Sequence, residues 1–230
     1  MSEAAIFFDL DDTLIDYSGR VEACWDAACG RVAGAGLDPA AVARMVHDVR
    51  AWFWSDPARH ARERIDMLAA WTKIAAAALD RVGHPSELLA RAIATDFAAR
   101  RLEATALFAD TVPCLERLRA RGIPLGLVTN GDARMQREKL ARYALEPFFD
   151  VIVIEGELGS GKPSPAVYHH ALQALGARAE DTVMVGDNFE WDVAGARQVG
   201  MTGVFLDRAG RGIPLGAPPV PVIRTLAELD

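Results

Sequence analysis

From about residue 104 onward, short apolar runs alternate with amphipathic stretches. This alternation constrains the fold more than anything else in the chain. The runs occupy 123–128, 151–154, 182–185 and 203–206. Each has strand length and little polar content, the pattern of strands buried on both faces of a parallel sheet. Between them lie helix-like stretches at 112–121, 133–143, 165–175 and 192–199, with stops at Gly122, Gly176 and Gly200. Strands alternating with helices predict right-handed βαβ units and a sheet covered on both sides. The opening run at 5–8 joins that sheet, and 220–223 is read as a further edge.

The segment 19–101 is different. It is rich in Ala and Arg, and its apolar residues recur at helical spacing, as in Ile65, Leu68, Ala69, Trp71 and Thr72. Breaks fall at Gly34 to Pro39, Asp56-Pro57 and Gly83 to Ser86, and Ser86-Glu87 reads as a helix start. The expected architecture is an α/β, Rossmann-like parallel sheet core at 1–18 and 102–230, with an inserted all-helical domain of about four helices at 19–101.

In open parallel sheets, ligands bind at the carboxyl ends of the strands. After the first strand stand Asp9 and Asp11, spaced i, i+2 and so projecting the same way. After the next come Thr129, Asn130, Gly131 and Asp132; then a glycine-rich loop with Lys162; then Gly186, Asp187 and Asn188, with Asp192 beyond. Two carboxylates held close are costly unless a cation or a shared proton joins them. Several carboxylates at one edge suit Mg2+, a hard cation that keeps water and phosphate oxygens as ligands. A hydroxyl, loop amides and a Lys suit a phosphoryl group.

Bulk properties agree. Net charge is -7, from 25 basic and 32 acidic residues. That balance argues against nucleic acid or an anionic membrane as the partner, and leaves room for a small anionic substrate in a local basic pocket. No apolar run approaches the roughly 20 residues of a membrane span. The first residues lack a basic stretch followed by a long apolar run, so a signal peptide is not expected. Cys24, Cys29 and Cys114 are odd in number and form no CxxC pair, which fits small core residues in a reducing cytoplasm. Oligomeric state has no signature in the sequence.

Asp9-Leu10-Asp11-Asp12-Thr13-Leu14, Thr129-Asn130-Gly131, Lys162-Pro163, and Gly186-Asp187-Asn188 with Asp192 occur in the order of the four motifs of the haloacid dehalogenase (HAD) superfamily. The chain resembles that superfamily over nearly its whole length, and its helical insert resembles the C1-type cap. The resemblance implies that Asp9 is the nucleophile, forming an aspartyl-phosphate. Asp11 would protonate the leaving oxygen and then activate water. Asp9, Asp187 and the Asp11 backbone carbonyl would hold Mg2+. Thr129 and Lys162 would bind phosphoryl oxygens, with Asn130 helping through its backbone amide. Asp192 would steady Lys162 or the metal's water shell.

Asp11 separates two branches of the resemblance. Dehalogenases attack carbon with the same first Asp and lack the second, because a halide leaves without a proton. The implied function is therefore a Mg2+-dependent, HAD-like phosphatase of a small phosphorylated metabolite. The alternatives are a 2-haloacid dehalogenase-type hydrolase, or a non-catalytic small-molecule binding protein on the same fold. Asp12 stands where glycine is commoner and, being next to Asp11, is expected to point elsewhere. Gly156 to Lys162 imitates a Walker A loop, but Pro163 replaces the metal-binding hydroxyl. The stretches around Thr129 to Lys139 and Val183 to Glu190 are similar to N-acylneuraminate-9-phosphatases. In the insert, Trp52, Phe53 and Trp54 are read as core packing, with stacking on a base or a sugar as the alternative, and Arg20, Arg44, Arg50, Arg59, Arg62 and Arg64 mostly as a solvated face, with contact to a second anionic group as the alternative. His47, His60 and His84 lack metal-ligand spacing.

Overall fold

The computed structural model describes residues 5–229, so the outermost residues of the expected 1–18 and 102–230 segments lie outside it. The chain opens with β1 (Ala5–Phe8) and a short β2 (Ile15–Asp16). Next come α1 (Val21–Cys29), α2 (Pro39–Trp54), α3 (Pro57–Glu63), α4 (Met67–Arg81) and α5 (Glu87–Ala104). They are followed by β3 (Ala106–Leu107), α6 (Thr111–Ala120), β4 (Leu125–Thr129), α7 (Ala133–Arg142), β5 (Val151–Ile154) and α8 (Glu155–Leu158). The series ends with α9 (Pro165–Leu175), β6 (Thr182–Gly186), α10 (Gly195–Gln198), β7 (Thr202–Leu206) and β8 (Val222–Ile223). Two compact units result: Met1–Asp16 with Ala106–Asp230, and Tyr17–Thr105.

In the first unit the strands lie in the order β5-β4-β1-β6-β7-β8, every neighbouring pair parallel. The chain moves outward from β1 on one side through β4 and β5, then on the other side through β6, β7 and β8. The crevice at this reversal lies where α/β sheets bind ligands. Side chains of β1 alternate as the pleat requires. Ile6 and Phe8 pack with Leu125, Leu127 and Val185, beneath Leu115 and Leu118 of α6 and Leu140 of α7. Phe7 packs on the other face with Val128, Val153 and Met184, beneath Val167, Tyr168 and Leu172 of α9. Gly126 lies opposite Phe7, and a Cβ there would overlap the phenyl ring.

The helix expected at 192–199 begins earlier, as a π-helical turn over Phe189–Ala194 that runs into α10. The Asn188 side chain accepts from the Trp191 N–H at 3.0 Å, and Asp192 turns back to accept from the Asn188 N–H at 2.9 Å. These two bonds hold the wider turn in place, and such turns recur at functional sites. The antiparallel β2–β3 pair (Ile15 opposite Leu107, Asp16 opposite Ala106) is too short to leave a periodic signal.

In the helical unit, the side chains of Asp38, Asp56, Asp66 and Ser86 cap α2, α3, α4 and α5. Trp25, Val46, Trp71, Ile74, Ile93 and Phe97 are among its buried residues. Ile65, assigned to the apolar face by its spacing, precedes the α4 cap and is 50% exposed. Of the expected aromatic core triplet, Phe53 is buried, Trp54 is half-buried, and Trp52 is exposed with the Arg59 guanidinium 4.1 Å from its ring. All three cysteines are buried and free. Burial pushes the Cys29 thiol up to about 12 and the Cys114 thiol up to about 11, so both stay inert. Among the described residues, no helix is long and apolar enough to cross a membrane.

Candidate active site

The carboxyl ends of β1, β4 and β6 enclose a cavity of about 190 Å³. Asp9, Asp11, Thr129, Asn130, Lys162, Asp187 and Asp192 all line it, so every sequence-predicted site residue converges there. Asp9 leaves β1 directly and is buried. Its Oδ1 accepts from Lys162 Nζ at 2.6 Å, and the same ammonium donates to Asp192 Oδ1 at 2.6 Å. Asp192 thus contacts Lys162, one of the two partners expected for it. Asp192 Oδ2 faces Gly186 so closely that a Cβ on that glycine would overlap it.

Asp11 is held from α7. Lys139 Nζ lies 2.7 Å from both of its oxygens, and Gln136 Nε2 donates to Oδ2 at 3.0 Å. Gln136 Nε2 also donates to Thr129 Oγ1 at 2.6 Å, and Lys139 Nζ to Gln136 Oε1 at 2.8 Å. Both side chains are buried although one is charged. Gln136 and Lys139 lie in the stretch similar to N-acylneuraminate-9-phosphatases, and the sequence assigns them no role. Their signal was the i, i+3 spacing, which places them on one face of the helix that follows the Thr129 strand.

Asn130 does something the motif alone does not reveal. Its Oδ1 accepts from the Lys162 N–H at 2.7 Å, and its Nδ2 donates to the Lys162 carbonyl at 2.8 Å. The two motifs are thereby locked together. The Lys162–Pro163 peptide is cis. Thr13, fully buried, accepts from the Asp187 N–H at 3.2 Å and fixes that loop to the turn that follows β1. The stretch resembling Walker A folds as α8 and a turn that delivers Lys162 to Asp9 and Asp192. Asp12 corrects an expectation: it lines the same cavity instead of pointing away. Its φ of 60° is left-handed, which ends the strand alternation on which the expectation rested. The glycine commoner at this position adopts that conformation freely.

Charge is the defining property of the cavity. Burial, with added repulsion from Asp192 and Asp11, outweighs Lys162 and pushes Asp9 up to about 7. Burial and the charges of Asp9, Asp192 and Asp12 push Asp187 up to about 8. Burial pulls Lys162 down, but Asp192 and Asp9 outweigh it and hold the ammonium protonated. Oxygens of Asp9, Asp187 and Asp192 lie within 4.8 Å of one another, so the donor set is all carboxylate and suits a hard divalent cation. Both Asp192 oxygens already accept hydrogen bonds, from Lys162 and from the Asn188 N–H. Asp9 and Asp187 are therefore the better-placed side-chain ligands. A cation there would relieve the repulsion that raises both groups.

Comparison with known proteins agrees with this geometry. Residues 3–200 match the haloacid dehalogenase-like hydrolase family. A phosphoserine phosphatase from Thermus thermophilus is 38% identical over 159 residues, which is 67% of this chain and 63% of that protein. An N-acylneuraminate-9-phosphatase from Rattus norvegicus is 28% identical over 98% of this chain and 91% of its own length. A solved 2-haloacid dehalogenase from Pseudomonas syringae superposes with a TM-score of 0.71 at 27% identity, covering 99% of this chain and 96% of that one. With the four motifs gathered at one sheet edge and the family match spanning most of its length, this chain belongs to the haloacid dehalogenase-like hydrolases.

Proposed function

We propose that this chain is a Mg2+-dependent phosphatase that hydrolyses a small phosphomonoester through an aspartyl-phosphate. The observation that carries the reading is the second carboxylate: Asp11 lines the cavity beside Asp9 and is gripped by Lys139 and Gln136. A halide leaving group needs no proton, so dehalogenation has no use for a carboxylate held this way. The match to a 2-haloacid dehalogenase is accounted for by the shared fold and the shared first Asp. Relatives named as phosphatases of phosphoserine and of N-acylneuraminate support the phosphate branch.

In this reading Asp9 attacks phosphorus in line while the bond to the leaving oxygen breaks. Asp11 gives its proton to that oxygen, then takes one from the water that hydrolyses the aspartyl-phosphate and so regains the acid form. Lys162 and Thr129 receive the phosphoryl oxygens, and Asn130 keeps Lys162 in place through its backbone. Asp9, Asp187 and the Asp11 carbonyl would hold the divalent cation, which supplies neutralisation of phosphoryl charge when bound. In this reading the unit Tyr17–Thr105, expected from sequence at 19–101, serves as a cap of C1 type. The substrate is a soluble phosphorylated metabolite, and the cytoplasm is the fitting location.

Phosphate release from a panel containing phosphoserine, sugar phosphates, phosphoglycolate and an acylneuraminate phosphate, with and without Mg2+, tests this reading. Release that requires the metal and disappears in Asp9→Asn is expected. Chloride release from 2-chloropropionate with no phosphate release from any panel member would replace it with the dehalogenase reading.

A further inference from the structure

A cavity of about 310 Å³ opens within the helical unit, walled in part by Tyr17, Trp25, Trp54, Trp71, Phe97 and Arg101. Its walls are ordered aromatics. Trp25 stacks on Phe97 with ring centroids 3.8 Å apart, and Trp71 meets the same ring edge-on at 4.9 Å. Arg101, in the last turn of α5, is 4% exposed, and its guanidinium lies 3.9 Å from the Tyr17 ring centroid. Among the described residues, no carboxylate pairs with that guanidinium and no hydrogen bond is made by it. Arg50 and Arg64 also border the cavity, but both have partners of their own, Glu22 in the case of Arg50.

A cation held at 4% exposure without a counter-charge is costly, and here it walls a cavity. One negatively charged acceptor satisfies it. Aromatic walls favour a flat, apolar body behind it, and the volume lies at the small end of ligand pockets. We propose that this cavity binds a small carboxylate carried on a flat apolar group. Arg101 pairs with the carboxylate. The site stands independently of the phosphatase reading.

Calorimetric titration of the full chain with phenylacetate and cinnamate, against phenylacetamide and cinnamamide, tests the site on the unaltered protein. The carboxylates should bind saturably and at least about tenfold more tightly than the amides. Arg101→Met should lower carboxylate affinity about tenfold, and Arg101→Lys should lower it less. No saturable carboxylate binding at about 10 mM ligand, or amides that bind as tightly, would overturn the proposal. So would unchanged affinity in Arg101→Met.

Discussion

Lys162 sits between two carboxylates, with 2.6 Å contacts to Asp9 and Asp192. Replacing Asp9 by Asn removes the attacking oxyanion but keeps the shape, so phosphate release should fall by about 10³-fold or more while the protein still folds. Residual activity near the native level would remove Asp9 from the nucleophile's role. Lys139 touches Asp11 and is not itself expected to meet the substrate, which makes it a positioning residue. Lys139→Met should lower kcat by about 10–100-fold with little change in KM. The loss should be greater for alkyl phosphates than for p-nitrophenyl phosphate, whose leaving group depends less on a proton donor. An equal loss on both would assign Lys139 to structure alone. Gly186→Ala would drive a Cβ into the Asp192 carboxylate and should destabilise by about 1–3 kcal/mol, read by denaturant unfolding.

At the scale of elements, α7 has a task beyond covering the sheet. Leu140 packs it into the core, while Gln136 and Lys139 reach Asp11 from the same helix. The helix begins where Asp132 accepts from the Met135 N–H at 2.9 Å. Asp132→Ala should therefore cost about 1 kcal/mol of stability through the lost cap. It should also lower kcat, because the first turn that aims Gln136 loosens. Restoration of both by Asp132→Ser, another good capping residue, would tie the two losses to the cap. Strand β4 has a comparable constraint. Gly126→Ala would push against Phe7 in the neighbouring β1 and should cost about 1–3 kcal/mol.

For the whole molecule, the acidic cavity links metal, pH and stability. Asp9 and Asp187 rise from an ordinary value of 3.8 to about 7 and about 8. Between those limits the folded chain binds more protons at these groups than the unfolded chain does. Their contribution to stability is thus greatest near pH 4 and declines as pH rises toward 8. A bound cation favours the charged carboxylates, so the increase in Tm on adding Mg2+ should grow across the same window. An increase that is flat with pH, or absent in the native protein, would place the metal elsewhere. The sequence by itself determined the alternating α/β pattern, the helical insert, and the set of strand-end residues, because period, glycine stops and i, i+2 spacing are local properties. Only the tertiary structure decided that Lys139 grips Asp11 from 128 residues away, that Asn130 clamps the Lys162 backbone, that Asp12 turns inward, and that Arg101 is buried without a counter-charge. Those outcomes depend on which elements meet and on what each side chain finds there, and no short stretch of sequence carries that information.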